Sequence, residues 1–115
     1  ETTGEELTPL AHRSSRRVFA EQTAGKLQEL LAGVVAEGTG RQAAPSEGTA
    51  AGKTGTAQTG QFRDGEELKN YWFAGFYPAE KPRWTIVVMQ DAQTEPEVSS
   101  AAIFARLCDA LSAGE

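Results

Sequence analysis

Tyr71-Trp72-Phe73-Ala74-Gly75-Phe76-Tyr77 and Trp84-Thr85-Ile86-Val87-Val88-Met89-Gln90 are two runs of aromatic and β-branched residues, each of strand length. Such side chains fit a pleated, half-buried surface, so both runs are expected to be strands. Pro78 closes the first run and Asp91 the second. The link 78–83 (Pro-Ala-Glu-Lys-Pro-Arg) is short enough for an antiparallel hairpin. Apolar residues fall on both alternating faces of each run, so both faces of the sheet are expected to be covered.

Upstream of this pair, Leu27, Leu30, Leu31, Val34 and Val35 recur at i, i+3, i+4, i+7 and i+8, one apolar stripe of an amphipathic helix over 21–37. Gly38 supplies its stop, and Glu21 favours the positive end of its dipole. The stretch 38–52 is rich in Gly, Ala and Thr and reads as a loop entering a strand over 50–58. The polar connection 59–70 carries an Asp64-Gly65 turn signal and is expected to be a mobile loop. Downstream, Thr94 with Glu97 forms a capping-box pattern, with Pro96 in the first turn. That predicts a helix over 95–112 with Phe104, Leu107, Cys108 and Leu111 as its buried stripe. Residues 1–20 read as an extended lead-in. The order helix, three antiparallel strands, helix gives an α+β architecture.

Composition narrows the function. The chain of 115 residues has a net charge of −5 and offers no basic stripe to neutralise phosphates, which argues against a nucleic-acid partner. Its one basic cluster, Arg13, Arg16 and Arg17, reads as a solvated segment. The single cysteine, Cys108, admits no disulfide within the chain and reads as a small core residue. His12 is the only histidine, so a zinc site of the usual kind has no ligand set. The sequence has no run of 18 apolar residues that would span a membrane.

The stretch that carries chemistry is Gly52-Lys53-Thr54-Gly55-Thr56-Ala57-Gln58. A phosphate-binding loop would need its first glycine where Glu47 stands, so that reading fails. A strand beside a cleft can offer backbone N–H groups, hydroxyls and a cation to a substrate that ends in a carboxylate. Here Lys53 brings the charge and Thr54 and Thr56 the hydroxyls. Gly55 would let a substrate backbone come close. One tension stands: in a regular strand Lys53 and Gly55 face opposite to Thr54 and Thr56. To serve one site, the strand must twist or lie at a sheet edge.

This stretch resembles the third active-site motif of the penicillin-binding proteins, in which Ser-x-x-Lys, Ser-Asp-Asn and Lys-Thr-Gly act together. Trp72 to Pro78 and Arg83 to Met89 look like the strands that follow it in that family. Thr23-Ala24, Leu27, Val34-Val35, Gly38-Thr39-Gly40 and Ala43 look like the helix and turn that precede it. Thr56-Ala57-Gln58 after the motif is more similar to the monofunctional, class B members than to the bifunctional ones.

The resemblance implies a peptidoglycan D,D-transpeptidase that cross-links stem peptides through a serine acyl-enzyme and is acylated by β-lactams. It implies catalytic roles for Lys53 and Thr56 and substrate binding by Thr54, Gly55 and Thr56. The N–H at Thr56 would be one oxyanion donor, the other belonging to the nucleophile. No cofactor or metal is called for. The parent would be membrane-anchored, working outside the bacterial cell membrane.

The chain's serines are Ser14, Ser15, Ser46, Ser99, Ser100 and Ser112; none is followed three residues later by Lys, and no Ser-x-Asn occurs. The nucleophile and its base are therefore expected in an upstream segment of the same parent, this chain being one part of it. A β-lactamase, a β-lactam sensor or a non-catalytic scaffold of the same fold would share the Lys-Thr-Gly strand.

Overall fold

The computed structural model describes residues 14–114. In chain order it contains helix α1 (Glu21–Ala36), a one-turn 3₁₀ segment (Arg41–Ala43), strands β1 (Ala51–Arg63), β2 (Glu66–Tyr77) and β3 (Trp84–Gln93), and helix α2 (Ser100–Ala113). The strands form one antiparallel sheet in the order β1-β2-β3. The lead-in expected over 1–20 falls mostly outside the described residues, together with His12 and Arg13; 14–20 is exposed and irregular.

β1 and β2 run further than their composition suggests. The segment 59–70 is not a loop but the outer half of a hairpin, closed by Asp64 and Gly65, at φ 53° and 81°. Two successive positive φ values match the twist of the flanking strands, which is why Asp-Gly makes so tight a connection. Register slips between Gln58 and Phe62. There Thr59 Oγ1 donates to the Leu68 carbonyl (2.5 Å), and Gly60 N–H donates to Glu67 Oε1 (3.1 Å). Side chains thus replace the missing ladder bonds of the bulge. β3 likewise continues three residues past Gln90, through the Asp91 expected to end it.

The two faces of the sheet differ, against the expectation that both would be covered. Phe73, Gly75 and Tyr77 point to one side and are buried there under α2 and the last turn of α1. This core joins Val35, Ala43, Phe73, Tyr77, Phe104 and Cys108, with Trp84, Ile86 and Val88 packed against it. The Phe73 and Phe104 rings lie 4.6 Å apart, tilted by 52°. The other side carries Trp72, Val87 (57 % exposed) and Met89, which no described residue covers.

Two helix readings are corrected in the same way. Of the stripe on α1 only Val35 is buried; Leu27 is exposed and Leu30 is 68 % exposed. The periodicity was real, but among the described residues nothing covers that face at Leu27 and Leu30. On α2 the buried stripe is Ser100, Ala101, Phe104, Ala105 and Cys108, while Leu107 is exposed. α2 also starts later than 95. Thr94 does not cap it; Ser99 does, its Oγ accepting from Ala102 N–H at 3.0 Å. Residues 94–99 bend across to deliver the chain to that cap.

Cys108 is fully buried, and burial pushes its thiol up to about 11. It stays protonated and unreactive near neutral pH, as a core residue should.

Candidate functional site

Lys53-Thr54-Gly55-Thr56 lies on β1, which has β2 on one side and, among the described residues, no strand on the other. An edge strand presents every second N–H and C=O to whatever comes alongside. The register places Lys53 opposite Ala74, Thr54 opposite Phe73, Gly55 opposite Trp72 and Thr56 opposite Tyr71. Lys53 and Gly55 therefore share the open face with Trp72, and Thr54 and Thr56 share the helix-covered face with Phe73.

The Lys53 side chain reaches along the strand, its Nζ donating to the Thr54 carbonyl at 3.0 Å and lying 3.4 Å from Thr54 Oγ1. A cation from one face and a hydroxyl from the other meet at the free edge. Lys53, Gly55 and Thr56 are exposed and Thr54 is half-buried, so all four can be reached from outside.

The glycines divide by role. A Cβ on Gly52 would lie 2.6 Å from both the Ala74 carbonyl oxygen and the Phe73 ring. Gly52 is what allows β1 to lie flat on β2 before the motif begins. A Cβ on Gly55 would meet only Trp72 Cβ, at an ordinary 3.6 Å. Among the described residues nothing demands glycine at 55.

Behind the strand, a small cavity is lined by Thr39, Gln42, Thr54, Thr56, Ser99 and Ser100, among others. A roomier groove lies between α1 and the 44–50 segment, lined by Gly25, Ala32, Gly33 and Ala36; it is apolar and holds none of the motif residues. Three residues that shape the site went unread in the sequence. They are Gly52, Gly75 and Ser100, and only a register that paired Gly52 with Gly75 could have exposed the first two. No group of His, Cys, Asp and Glu among the described residues could hold a metal ion.

The penicillin binding protein transpeptidase domain profile matches residues 8–109. The chain belongs to that family. It is 40% identical over 81 residues to stage V sporulation protein D of Bacillus subtilis, covering 68% of this chain and 12% of the relative. It is 36% identical over 88 residues to the peptidoglycan D,D-transpeptidase FtsI homolog of Nephroselmis olivacea, covering 73% and 12%. Among solved structures, the D,D-transpeptidase domain of a peptidoglycan glycosyltransferase from Eggerthella lenta superposes with a TM-score of 0.63 at 35% identity, over 81% of this chain and 21% of that one. The transpeptidase domain of FtsI4 from Legionella pneumophila gives 0.60 at 26% identity, over 84% and 37%. The chain thus spans about an eighth of the length of the curated relatives it matches.

Proposed function

We propose that this chain is the C-terminal part of a transpeptidase domain and forms the Lys-Thr-Gly wall of an acyl-transfer site. In this reading the parent cross-links peptidoglycan stem peptides through a serine acyl-enzyme and accepts β-lactams at the same serine. The observation that carries it is the meeting of Lys53 and Thr54, with Thr56 two residues on, along an edge of β1 that no described strand pairs, in a chain with no Ser-x-x-Lys.

The substrate's terminal carboxylate, or that of a β-lactam, accepts from the Thr54 and Thr56 hydroxyls and is held by the Lys53 charge. The N–H of Thr56 donates to the oxyanion of the tetrahedral intermediate, a contribution typically of about 3–4 kcal/mol. The serine attacks the acyl carbon, its proton passes to a neighbouring base, and the leaving amine or lactam nitrogen takes a proton in turn. Serine and base come from the parent's upstream segment. That segment also has a surface to cover: Trp72, Val87 and Met89 are exposed on the face that carries Lys53. A contiguous apolar patch of this kind on a soluble protein marks an interaction site. The Thr-Ala-Gln following the motif favours a class B parent, placed outside the cell membrane. No described helix is long and apolar enough to cross a membrane.

Incubation with a fluorescent penicillin tests the division of labour. The full parent labels stoichiometrically on a denaturing gel; the purified 115-residue chain does not label. An unlabelled parent would sink the function, and a labelled lone chain would place the nucleophile among its own side chains.

Thr56→Ala in the parent should slow β-lactam acylation through loss of one hydroxyl bond to a charged partner, about 1.5–3 kcal/mol or roughly ten- to a hundredfold. The backbone N–H stays, so the loss is smaller than for Lys53→Ala. Second-order acylation rates for the two variants check the ranking, and the reverse order would mean that the roles are wrongly divided.

A further inference from the structure

We propose that Ser100 is a positioning residue for the Thr56 end of the site; the proposal rests on the acyl-transfer reading above. Ser100 is the first residue of α2 and is 4 % exposed. Its Oγ donates to the Tyr71 carbonyl at 2.8 Å and accepts from Gln90 Nε2 at 3.1 Å. Gln90 Nε2 also donates to the Val98 carbonyl at 3.0 Å. One hydroxyl therefore joins β2, β3 and the start of α2.

The place of this junction gives it its consequence. Tyr71 pairs with Thr56 on one side and with Gln90 on the other. It is also where the continuous register of β2 with β3 stops: the next pair is Lys69 with Gln93, so β3 carries one residue too many. A bulge disrupts the ladder locally and lets the strand bend. The Ser100 hydroxyl supplies a donor to the Tyr71 carbonyl at that break.

β1 has β2 as its only strand neighbour among the described residues, so a shift of Tyr71 passes to Thr56. α2 itself is held by Phe104 and Cys108 in the core. Its cap residue Ser99 donates to Gln42 Oε1 beside the small cavity behind the strand. Ser100 thus fixes the Tyr71 carbonyl, and with it the backbone row that carries the oxyanion donor, through its own hydrogen bonds. Small displacements of such donors cost rate rather than ground-state binding.

The test is acylation of the full parent by a fluorescent penicillin, followed to saturation so that limiting rate and half-saturation separate. Ser100→Ala should lower the limiting rate about tenfold and leave half-saturation within about twofold. Cys108→Ala is the control. It loosens the same helix through the core, lowers the thermal midpoint, and should leave both parameters within about twofold. Gln90→Ala, which frees the hydroxyl from its second partner, should lower the limiting rate about threefold, and it decides the matter if Ser100→Ala does not fold. A limiting rate for Ser100→Ala equal to that of Cys108→Ala, or an unchanged Gln90→Ala beside an unfolded Ser100→Ala, overturns the proposal while the labelled wild type upholds the function. A wild-type parent that takes no label overturns both.

Discussion

Gly75→Ala should destabilise the parent's transpeptidase domain by about 3 kcal/mol or more, the range of severe overpacking. A Cβ at this position would stand 2.4 Å from the Ala51 carbonyl oxygen and 2.9 Å from the rings of both Phe104 and Phe73. None of the three can yield cheaply. The carbonyl belongs to the strand that leads into Lys53. The two rings are each fully buried and packed on one another. Gly75 pairs across the sheet with Gly52, whose own Cβ would strike Phe73 and the Ala74 carbonyl. The glycine pair is thus the notch into which the aromatic core fits. Gly55→Ala is the comparison, since its Cβ meets only an ordinary contact and should change stability by less than about 1 kcal/mol. Thermal unfolding of the two variants checks this, and equal midpoints would refute the packing account.

That notch shows what sequence alone could and could not supply. The runs 71–77 and 84–90 announced their strands because aromatic and β-branched residues were concentrated in them. The motif Lys53-Thr54-Gly55 announced the chemistry because few other contexts place those residue types before Thr56-Ala57-Gln58. The outer hairpin was read as a loop because its strand residues are mostly polar and only Leu68 among them is buried. The Asp64-Gly65 turn, the pairs Phe62–Glu67 and Arg63–Glu66, and the side-chain bonds of Thr59 and Glu67 set its register, and bonds between side chains and backbone have no periodicity. The same blindness hid Ser100, whose significance lies in the carbonyl above it and not in its neighbours in sequence.

The apolar stripe on α1 was legible and still misled. Periodicity reports that a face wants covering, not what covers it. Leu27 and Leu30 are exposed here, as are Trp72, Val87 and Met89 on the sheet. Nothing among the described residues covers them. The late start of α2 has a different cause. Thr94 and Ser99 are both good caps by type, and the choice between them was made by Ser100, whose bonds to Tyr71 and Gln90 fix where the first turn can sit.

Lys53→Ala should reduce penicillin acylation of the parent by about 10²- to 10³-fold, the scale of losing a charged group that acts on the reacting atoms. Stability should change by less than about 0.5 kcal/mol, as for exposed positions generally. The structure supports that separation of effects. Lys53 is exposed, and its Nζ bonds are to the carbonyl and hydroxyl of the adjacent Thr54. Its ammonium supports no distant element of the fold, yet it stands at the free edge beside the Thr54 hydroxyl that would receive the substrate carboxylate. Lys53→Arg separates charge from proton handling. A guanidinium keeps the positive charge but is planar and does not release a proton near neutral pH. If the lysine only holds the carboxylate, Arg should recover most of the rate lost with Ala. If it also moves a proton with the serine, Arg should fall nearly as far as Ala. Second-order acylation rates for wild type, Ala and Arg distinguish the two cases. A folded Lys53→Ala that acylates as fast as wild type would remove Lys53 from the site altogether.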